Sequence, residues 1–209
     1  PIKEIGSNLG ISELDNDRYI FSIDPSTSKD FDDAFSIKLI DSKYIVSIYI
    51  ANVPAWLSWA DVQIDELVRV STIYLPNIIH PMLPSILSDD LCSLWAGKPR
   101  HAFVLDLEID GTTGQIISKH FSNQLIKVNV NWSYSDPKLE KNPNYQMIKN
   151  LIYLMDNQSQ ELDSHKVVEF WMCQMNLAVG QELASRQIGI FRQAHMDISR
   201  QTPNISKEI

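Results

Sequence analysis

The sequence is most distinctive at residues 23–34, which read Ile23-Asp24-Pro25-Ser26-Thr27-Ser28-Lys29-Asp30-Phe31-Asp32-Asp33-Ala34. Carboxylates that crowd together at the ends of strands repel one another unless a cation offsets the repulsion, and hard divalent cations prefer oxygen ligands. Two Mg²⁺ ions about 3.5–4 Å apart can activate a water and stabilise the leaving oxygen in phosphodiester cleavage. The candidate metal-binding and catalytic residues are therefore Asp24, Asp30, Asp32 and Asp33.

Three other interpretations of this acidic segment remain open from the residues alone. Asp and Ser are common turn residues, so the segment could be a solvated surface turn. The alternation of oxygen-bearing side chains also suits a calcium loop, but Lys29 stands at the required glycine position and Phe35 at that of the bidentate glutamate. An aspartate in this segment could also act as a nucleophile in phosphoryl transfer.

The pattern of apolar residues predicts strands first and helices last. Period-2 alternation predicts strands at residues 18–23, 34–40, 44–50, 101–110, 115–121 and 125–130. Helical spacing predicts helices at 59–70, 145–158 and 164–185, the last with Val167, Val168, Trp171, Met175 and Ala178 on one stripe. Residues 71–100 contain four prolines and are predicted to form a long ordered loop with short helical pieces. This order predicts an α+β (mixed α/β) domain with a central mixed β-sheet flanked by helices.

Composition limits the classes of function. The chain has 209 residues, a formal net charge of −8 and 44% hydrophobic residues, which predicts one globular domain and excludes intrinsic disorder. The acidic balance excludes a protein that holds nucleic acid by bulk positive charge. No apolar run reaches the ~18 residues of a membrane span and no signal-peptide core is visible, so we expect a cytoplasmic protein without membrane contact. Cys92 and Cys173 lie among apolar residues and are predicted to be buried thiols.

Four residues outside the acidic segment are candidate functional residues. Tyr74 lies in a proline-flanked loop, where its ring could stack on a base or pack against the loop itself. Lys98 and Arg100 belong to a compact basic group that suits a phosphate backbone or forms a solvated rim. Glu169 stands among apolar residues of the last predicted helix, as either a partnered core carboxylate or an active-site one.

The motifs and their order resemble those of the RNB family, the catalytic domain of ribonuclease II and ribonuclease R. The resemblance extends from about Arg18 to His195 and is carried by residues 23–34, 71–76, 81–84, 87–94, 100–103, 108–110, 168–176 and 189–192. It implies an N-terminal lead-in at residues 1–17 and a partial RNB domain at 18–209, without the cold-shock-like and S1 domains that commonly accompany it.

The resemblance also implies an activity. Family members are Mg²⁺-dependent, processive 3′→5′ exoribonucleases that hydrolyse single-stranded RNA to 5′-nucleoside monophosphates without an organic cofactor. By this resemblance the four aspartates would hold two metal ions and the attacking water, and Tyr74 would stack on the terminal nucleotide. Glu169 matches one position of the family's glutamate pair near the RNA 3′ end, where the second position is Phe170.

Two departures from the family pattern support an alternative function. The family's S/T-x-P-[IL]-R-[RK]-[YF] segment, whose arginine contacts the scissile phosphate, has no match after Arg192, and Phe170 replaces the second glutamate. The alternative is a catalytically impaired relative that binds RNA or a protein partner without cleavage. A calcium-stabilised structural domain is a third possibility.

Overall fold

The computed structural model describes residues 17–59, 71–156 and 161–189. Its strands are β1 (Phe21–Asp24), β2 (Asp33–Ile40), β3 (Lys43–Ala51), β4 (Ile73–Leu75), β5 (Ile78–His80), β6 (Pro99–Asp110), β7 (Ile116–Lys127) and β8 (Val130–Ser133). The helices are α1 (Val53–Trp59), α2 (Pro143–Asp156) and α3 (Ser164–Ser185), with a π-helical turn at Ile86–Leu91 and a 3₁₀ turn at Leu139–Lys141.

Six of the strands form one mixed sheet in the order β7-β6-β3-β2-β1-β8. Neighbouring strands from β7 to β1 are antiparallel, whereas β8 pairs with β1 in parallel, with Ser22 opposite Asn131. The strands β4 and β5 form a separate hairpin. The mixed sheet with helices confirms the predicted fold class.

Helices α2 and α3 cover one face of the sheet. Apolar side chains from the sheet, such as Phe35 and Leu105, pack there with Trp171, which is fully buried on α3. The predicted helical stripe is confirmed, since Val167, Val168, Trp171, Met175 and Ala178 are all buried. Asp163 caps α3, because its carboxylate accepts a hydrogen bond from the Lys166 amide at 2.9 Å.

Loops cover part of the opposite face of the sheet. Phe31 and Leu94 are buried there against small strand residues such as Ala34 and Ala102. The ring of Trp95 meets that of Phe31 edge-on, with 4.7 Å between the ring centroids. This packing ties the acidic segment to the loop at residues 92–98.

Several predicted boundaries are wrong. β7 runs without a break from residue 116 to 127, where two strands at 115–121 and 125–130 were predicted, and β8 follows as a further strand. The predicted loop at 71–100 contains the β4–β5 hairpin as well as a helical turn. The helix predicted at 59–70 lies outside the described residues except for its first residue, which ends α1.

The cysteine prediction is half right. Cys92 is buried, and burial raises the pKa of its thiol to about 11. Cys173 is exposed on α3, because it lies on the side of the helix that faces away from the sheet. None of the helices in the described part of the chain combines the length and the hydropathy that a membrane span requires.

Candidate active site

The four aspartates of the acidic segment lie at one end of the large sheet. Asp24 ends β1 and Asp33 begins the antiparallel β2, so the chain reversal between them returns to the same end. Three other strands also have an end here: β3 and β8 end at this edge, and β6 begins at it. This follows from the pairing, since β3 is antiparallel to β2, β6 is antiparallel to β3, and β8 is parallel to β1. The Ala51 amide donates a hydrogen bond to the Asp32 carbonyl at 2.9 Å, which anchors the segment to the sheet.

Burial and mutual repulsion make ionisation of Asp24, Asp32 and Asp33 less favourable. Burial, with added repulsion from Asp24 and Asp32, raises the pKa of Asp33 to about 7. Burial and the charges of Asp32 and Asp30 raise the pKa of Asp24 to about 6, although a hydrogen bond from Ser22 opposes this shift. Burial and the Asp30 charge also raise the pKa of Asp32. The carboxylates thus form one electrostatically coupled cluster.

Two oxygens of this cluster have no protein partner. Oδ2 of Asp24 and Oδ2 of Asp33 are buried and accept no hydrogen bond. A buried unpaired carboxylate oxygen is costly unless a cation or proton satisfies it. As the side chains stand, no three His, Cys, Asp or Glu residues within the described ranges converge closely enough to enclose a metal ion. The unpaired carboxylate oxygens are ligands that a divalent cation prefers. The carboxylates themselves repel one another and do not converge on one point in this structure.

Ser93 fixes the backbone of the acidic segment. Its hydroxyl accepts a hydrogen bond from the Phe31 amide at 2.9 Å and donates one to the Lys29 carbonyl at 3.0 Å. The Leu94 amide donates to the Phe31 carbonyl at 2.9 Å. Phe31 lies between Asp30 and Asp32 in sequence, so these bonds determine where both carboxylates project.

An aromatic pair borders the aspartates. Tyr134 follows β8, and its amide donates to the Asp24 carbonyl at 3.1 Å. Its ring stacks on that of His165 with 3.8 Å between centroids and 7° between planes. Burial and the charges of Asp33 and Asp24 raise the pKa of the Tyr134 hydroxyl, which places this ring beside the cluster. Glu169 lies one helical turn after His165 and is exposed.

A groove runs from the acidic segment to the β4–β5 hairpin. It has a volume of about 880 Å³, and Lys29, Asp30, Thr72, Leu75 and Ile78 are among the residues that line it. The backbone of Tyr74 lies in this hairpin opposite Ile79, while the position of its side chain lies outside what the structure describes. The stacking role of Tyr74 stays a prediction.

The two basic residues have different environments. Arg100 is only 5% exposed, and its guanidinium donates to the carbonyls of Asp90, Ser93 and Pro99 and pairs with the Asp90 carboxylate at 2.6 Å. Lys98 is exposed and pairs with the same carboxylate at 3.0 Å. Arg100 therefore supports the loop that holds the acidic segment, and an RNA contact would require it to leave these partners.

Two residues of the site have no role that the sequence predicts. Tyr134 reaches the site only because β8, which it follows, pairs in parallel with β1, a strand more than 100 residues earlier. No local pattern signals such a pairing. Ser93 lies in residues 87–94, one of the motifs that carry the family resemblance, but no sequence pattern predicts its two hydrogen bonds to residues 29 and 31.

The raised pKa values of Asp24 and Asp33 predict how stability depends on pH without metal. Both groups lose protons at lower pH in the unfolded chain than in the folded protein, so folding is favoured at low pH and stability falls as pH rises through 6–7. With EDTA present, the free energy of unfolding in urea should fall by roughly 2 kcal/mol from pH 5.0 to 7.5. Acids with lowered pKa values, such as Asp90 and Asp110, change the stability only at pH values below this range, because they are ionised in both states above it. Unchanged or rising stability between pH 5.0 and 7.5 would contradict the proposed coupling.

Comparison with known protein families identifies the chain. A family model described as the RNB domain matches residues 13–139, more than half of the sequence. The chain belongs to the RNB family. The match includes the whole acidic segment, the hairpin and the loop at 92–98, whereas α2 and α3 follow it along the chain.

Individual relatives agree with this membership. Ribonuclease R of Mycoplasmopsis pulmonis is 35% identical over 144 residues, which cover 60% of this chain and 19% of that protein. The apo structure of Mycoplasma genitalium RNase R aligns with a TM-score of 0.55 and 26% identity over 90% of this chain and 27% of that chain. Yeast Ssd1, described as a pseudonuclease, shares the fold with a TM-score of 0.59 at 18% identity over 69% of this chain and 19% of that one. The chain spans about a fifth of the length of the curated relatives that it matches.

Proposed function

We propose that residues 18–209 are part of the catalytic domain of a Mg²⁺-dependent 3′→5′ exoribonuclease that hydrolyses single-stranded RNA to 5′-nucleoside monophosphates. The observation that carries this proposal is the cluster of aspartates with raised pKa values and two unpaired buried oxygens at one end of the sheet. A surface turn would leave its carboxylates solvated and free of such strain. Family membership adds the class of reaction.

The aspartates have distinct tasks in this proposal. Asp24 and Asp33 would direct their unpaired oxygens to the cation, and Asp30 and Asp32 would complete its oxygen ligands or hold the attacking water. A bound Mg²⁺ pair would lower the pKa of water and offset charge on the scissile phosphate. Ser93 keeps the two central carboxylates in place through the backbone of Phe31, so that little reorganisation is needed during reaction.

The substrate side is formed by the aromatic pair and the groove. Stacking on His165 fixes the orientation of the Tyr134 ring, which offers a surface for the terminal nucleotide beside Asp24. The groove to the β4–β5 hairpin is lined by both polar and apolar residues, which suits unpaired ribose and bases. Single-stranded RNA fits this arrangement because its bases are free to stack.

An RNA-binding or protein-binding relative without cleavage is the second candidate. Within the described ranges no three carboxylates already converge on one point, and Phe170 takes the place of the second family glutamate. The first candidate is favoured because all four aspartates of the family motif are present. An inactive protein has no need to keep buried, unpaired carboxylates, which lower stability.

The proposal is tested with 5′-labelled single-stranded RNA, Mg²⁺ and the purified protein. We expect the full-length RNA to disappear without a ladder of intermediates, and Asp32→Asn to slow this loss by about 100-fold or more because it removes a charged oxygen ligand. Asp41→Asn is the matched control, since Asp41 is an exposed residue of the β2–β3 turn. Intact RNA with the wild-type protein, or equal rates for wild type and Asp32→Asn, would contradict the proposal.

A further inference from the structure

We infer that Asn131 is a positioning residue. It fixes the two halves of the acidic segment, Asp24 on one side and Asp30 with Asp32 on the other, relative to each other. This inference rests on the proposed function, because it assigns Asn131 to the same metal-binding carboxylates. None of the hydrogen bonds that Asn131 makes among the described residues leads directly to one of the four aspartates. Asn131 acts through hydrogen bonds that start from one side-chain amide and lead to both halves.

The first connection leads to Asp24. Asn131 lies directly opposite Ser22 in the parallel β1–β8 pair, and its Nδ2 donates a hydrogen bond to Ser22 Oγ at 2.9 Å. Ser22 lies two residues before Asp24 on β1, so both side chains project from the same face of the sheet, and the Ser22 hydroxyl lowers the pKa of the Asp24 carboxyl. Because Asn131 supplies the hydrogen that Ser22 Oγ accepts, the hydroxyl hydrogen of Ser22 remains available for Asp24. Ser22 is fully buried, so water does not compete for this connection.

The second connection leads to Asp30 and Asp32. The Oδ1 atom of Asn131 accepts a hydrogen bond from the Ala96 amide at 2.8 Å, and Nδ2 also donates to the Leu94 carbonyl at 3.1 Å. The Leu94 amide continues to the Phe31 carbonyl at 2.9 Å. Phe31 stands between the two central aspartates, so the loop that Asn131 holds also holds their backbone.

The three hydrogen bonds require an amide. One acceptor and two donors are used on a single planar group, and the backbone amide of Ala96 fixes which atom is the oxygen. Aspartate has the same size but donates nothing, so it would compete with Asp24 for the Ser22 hydroxyl and face the Leu94 carbonyl with a charge. Residues that orient metal ligands in this way typically contribute 10–100-fold to metal affinity.

The test measures Mn²⁺ binding to the purified protein by electron paramagnetic resonance of the free ion. Asn131→Asp should raise the dissociation constant by about 10-fold or more, and Ser22→Ala, which removes only the first connection, by a smaller factor. In the double variant the dissociation constant should rise by less than the product of the two single-variant increases, since both substitutions remove the same path to Asp24. Asn142→Asp is the matched control. The Asn142 amide donates to the Tyr19 hydroxyl at 3.0 Å at the other end of β1, and aspartate retains its helix-capping acceptor.

The outcomes separate this inference from the proposed function. Weaker Mn²⁺ binding in Asn131→Asp and Ser22→Ala, with unchanged binding in Asn142→Asp, supports a positioning role. Lowered thermal stability with wild-type Mn²⁺ affinity in Asn131→Asp and Ser22→Ala shows a purely structural role and overturns the inference alone. If Asn131→Asp does not fold, Ser22→Ala decides the question by the same measurement. A wild-type protein that binds no Mn²⁺ overturns the proposed function, and this inference falls with it.

Discussion

Asp33→Asn is expected to stabilise the metal-free protein at pH 7.5 and to slow RNA hydrolysis. Burial and the charges of Asp24 and Asp32 raise the pKa of Asp33 to about 7, so at pH 7.5 its ionised form is present at a cost to folding. Asparagine has nearly the same shape and carries no charge, so we expect the free energy of unfolding to rise by about 1–2 kcal/mol. Hydrolysis should fall by at least about 100-fold, because a charged oxygen ligand is lost.

The two readouts together distinguish a functional acid from a structural one. Urea unfolding in EDTA and the rate of RNA loss in Mg²⁺ should move in opposite senses for Asp33→Asn. The addition of Mg²⁺ should raise the stability of the wild type more than that of the variant, because bound metal stabilises the folded state by mass action. A variant that is less stable than wild type in EDTA, or one that retains full activity, would show that Asp33 has a structural role instead.

Arg100→Ala is expected to lower the free energy of unfolding by about 3 kcal/mol. Its buried guanidinium serves three backbone carbonyls and the Asp90 carboxylate, and removal of one partner from such a network leaves buried acceptors unpaired. Arg100→Lys should restore little of the loss, because an ammonium group cannot reproduce the planar arrangement of donors. Urea unfolding measures both variants.

Lys98→Ala is the control for the arginine substitution. Lys98 reaches the same carboxylate from an exposed position, so we expect its loss to cost less than about 1 kcal/mol. RNA affinity, measured by fluorescence anisotropy, tests the phosphate-contact prediction for both residues. If Arg100→Ala left stability unchanged and weakened RNA binding, its proposed structural role would be wrong and the sequence-based prediction of an RNA contact would stand.

Local sequence patterns predicted those parts of the fold that depend on local periodicity. Alternation identified β2, β3 and β6 to within a few residues, and the apolar stripe around Trp171 identified α3 with its observed bounds. The same patterns failed at β7, because the polar residues 122–124 interrupt the apolar alternation while the pairing with β6 continues past them.

The candidate site was predictable only in its acidic residues. Four aspartates between two strands are a strong local signal, whereas Tyr134 joins them through a parallel pairing of β8 with a strand far away in the chain. The opposite error occurred at Arg100, since a cation near strand ends looks the same in sequence whether it faces solvent or is buried. Its actual role depends on the carbonyls of a loop that only the folded structure brings around it.

The most direct test of exoribonuclease activity compares linear and circular single-stranded RNA of the same sequence. An exonuclease needs a free end, so the purified protein with Mg²⁺ should consume the linear RNA, release 5′-nucleoside monophosphates and leave the circle intact, and EDTA should stop the reaction. Survival of both RNAs would contradict the proposed exoribonuclease activity and favour a relative that binds without cleavage. Loss of the circle at the same rate as the linear RNA would contradict it as well, because cleavage would then not start from an end.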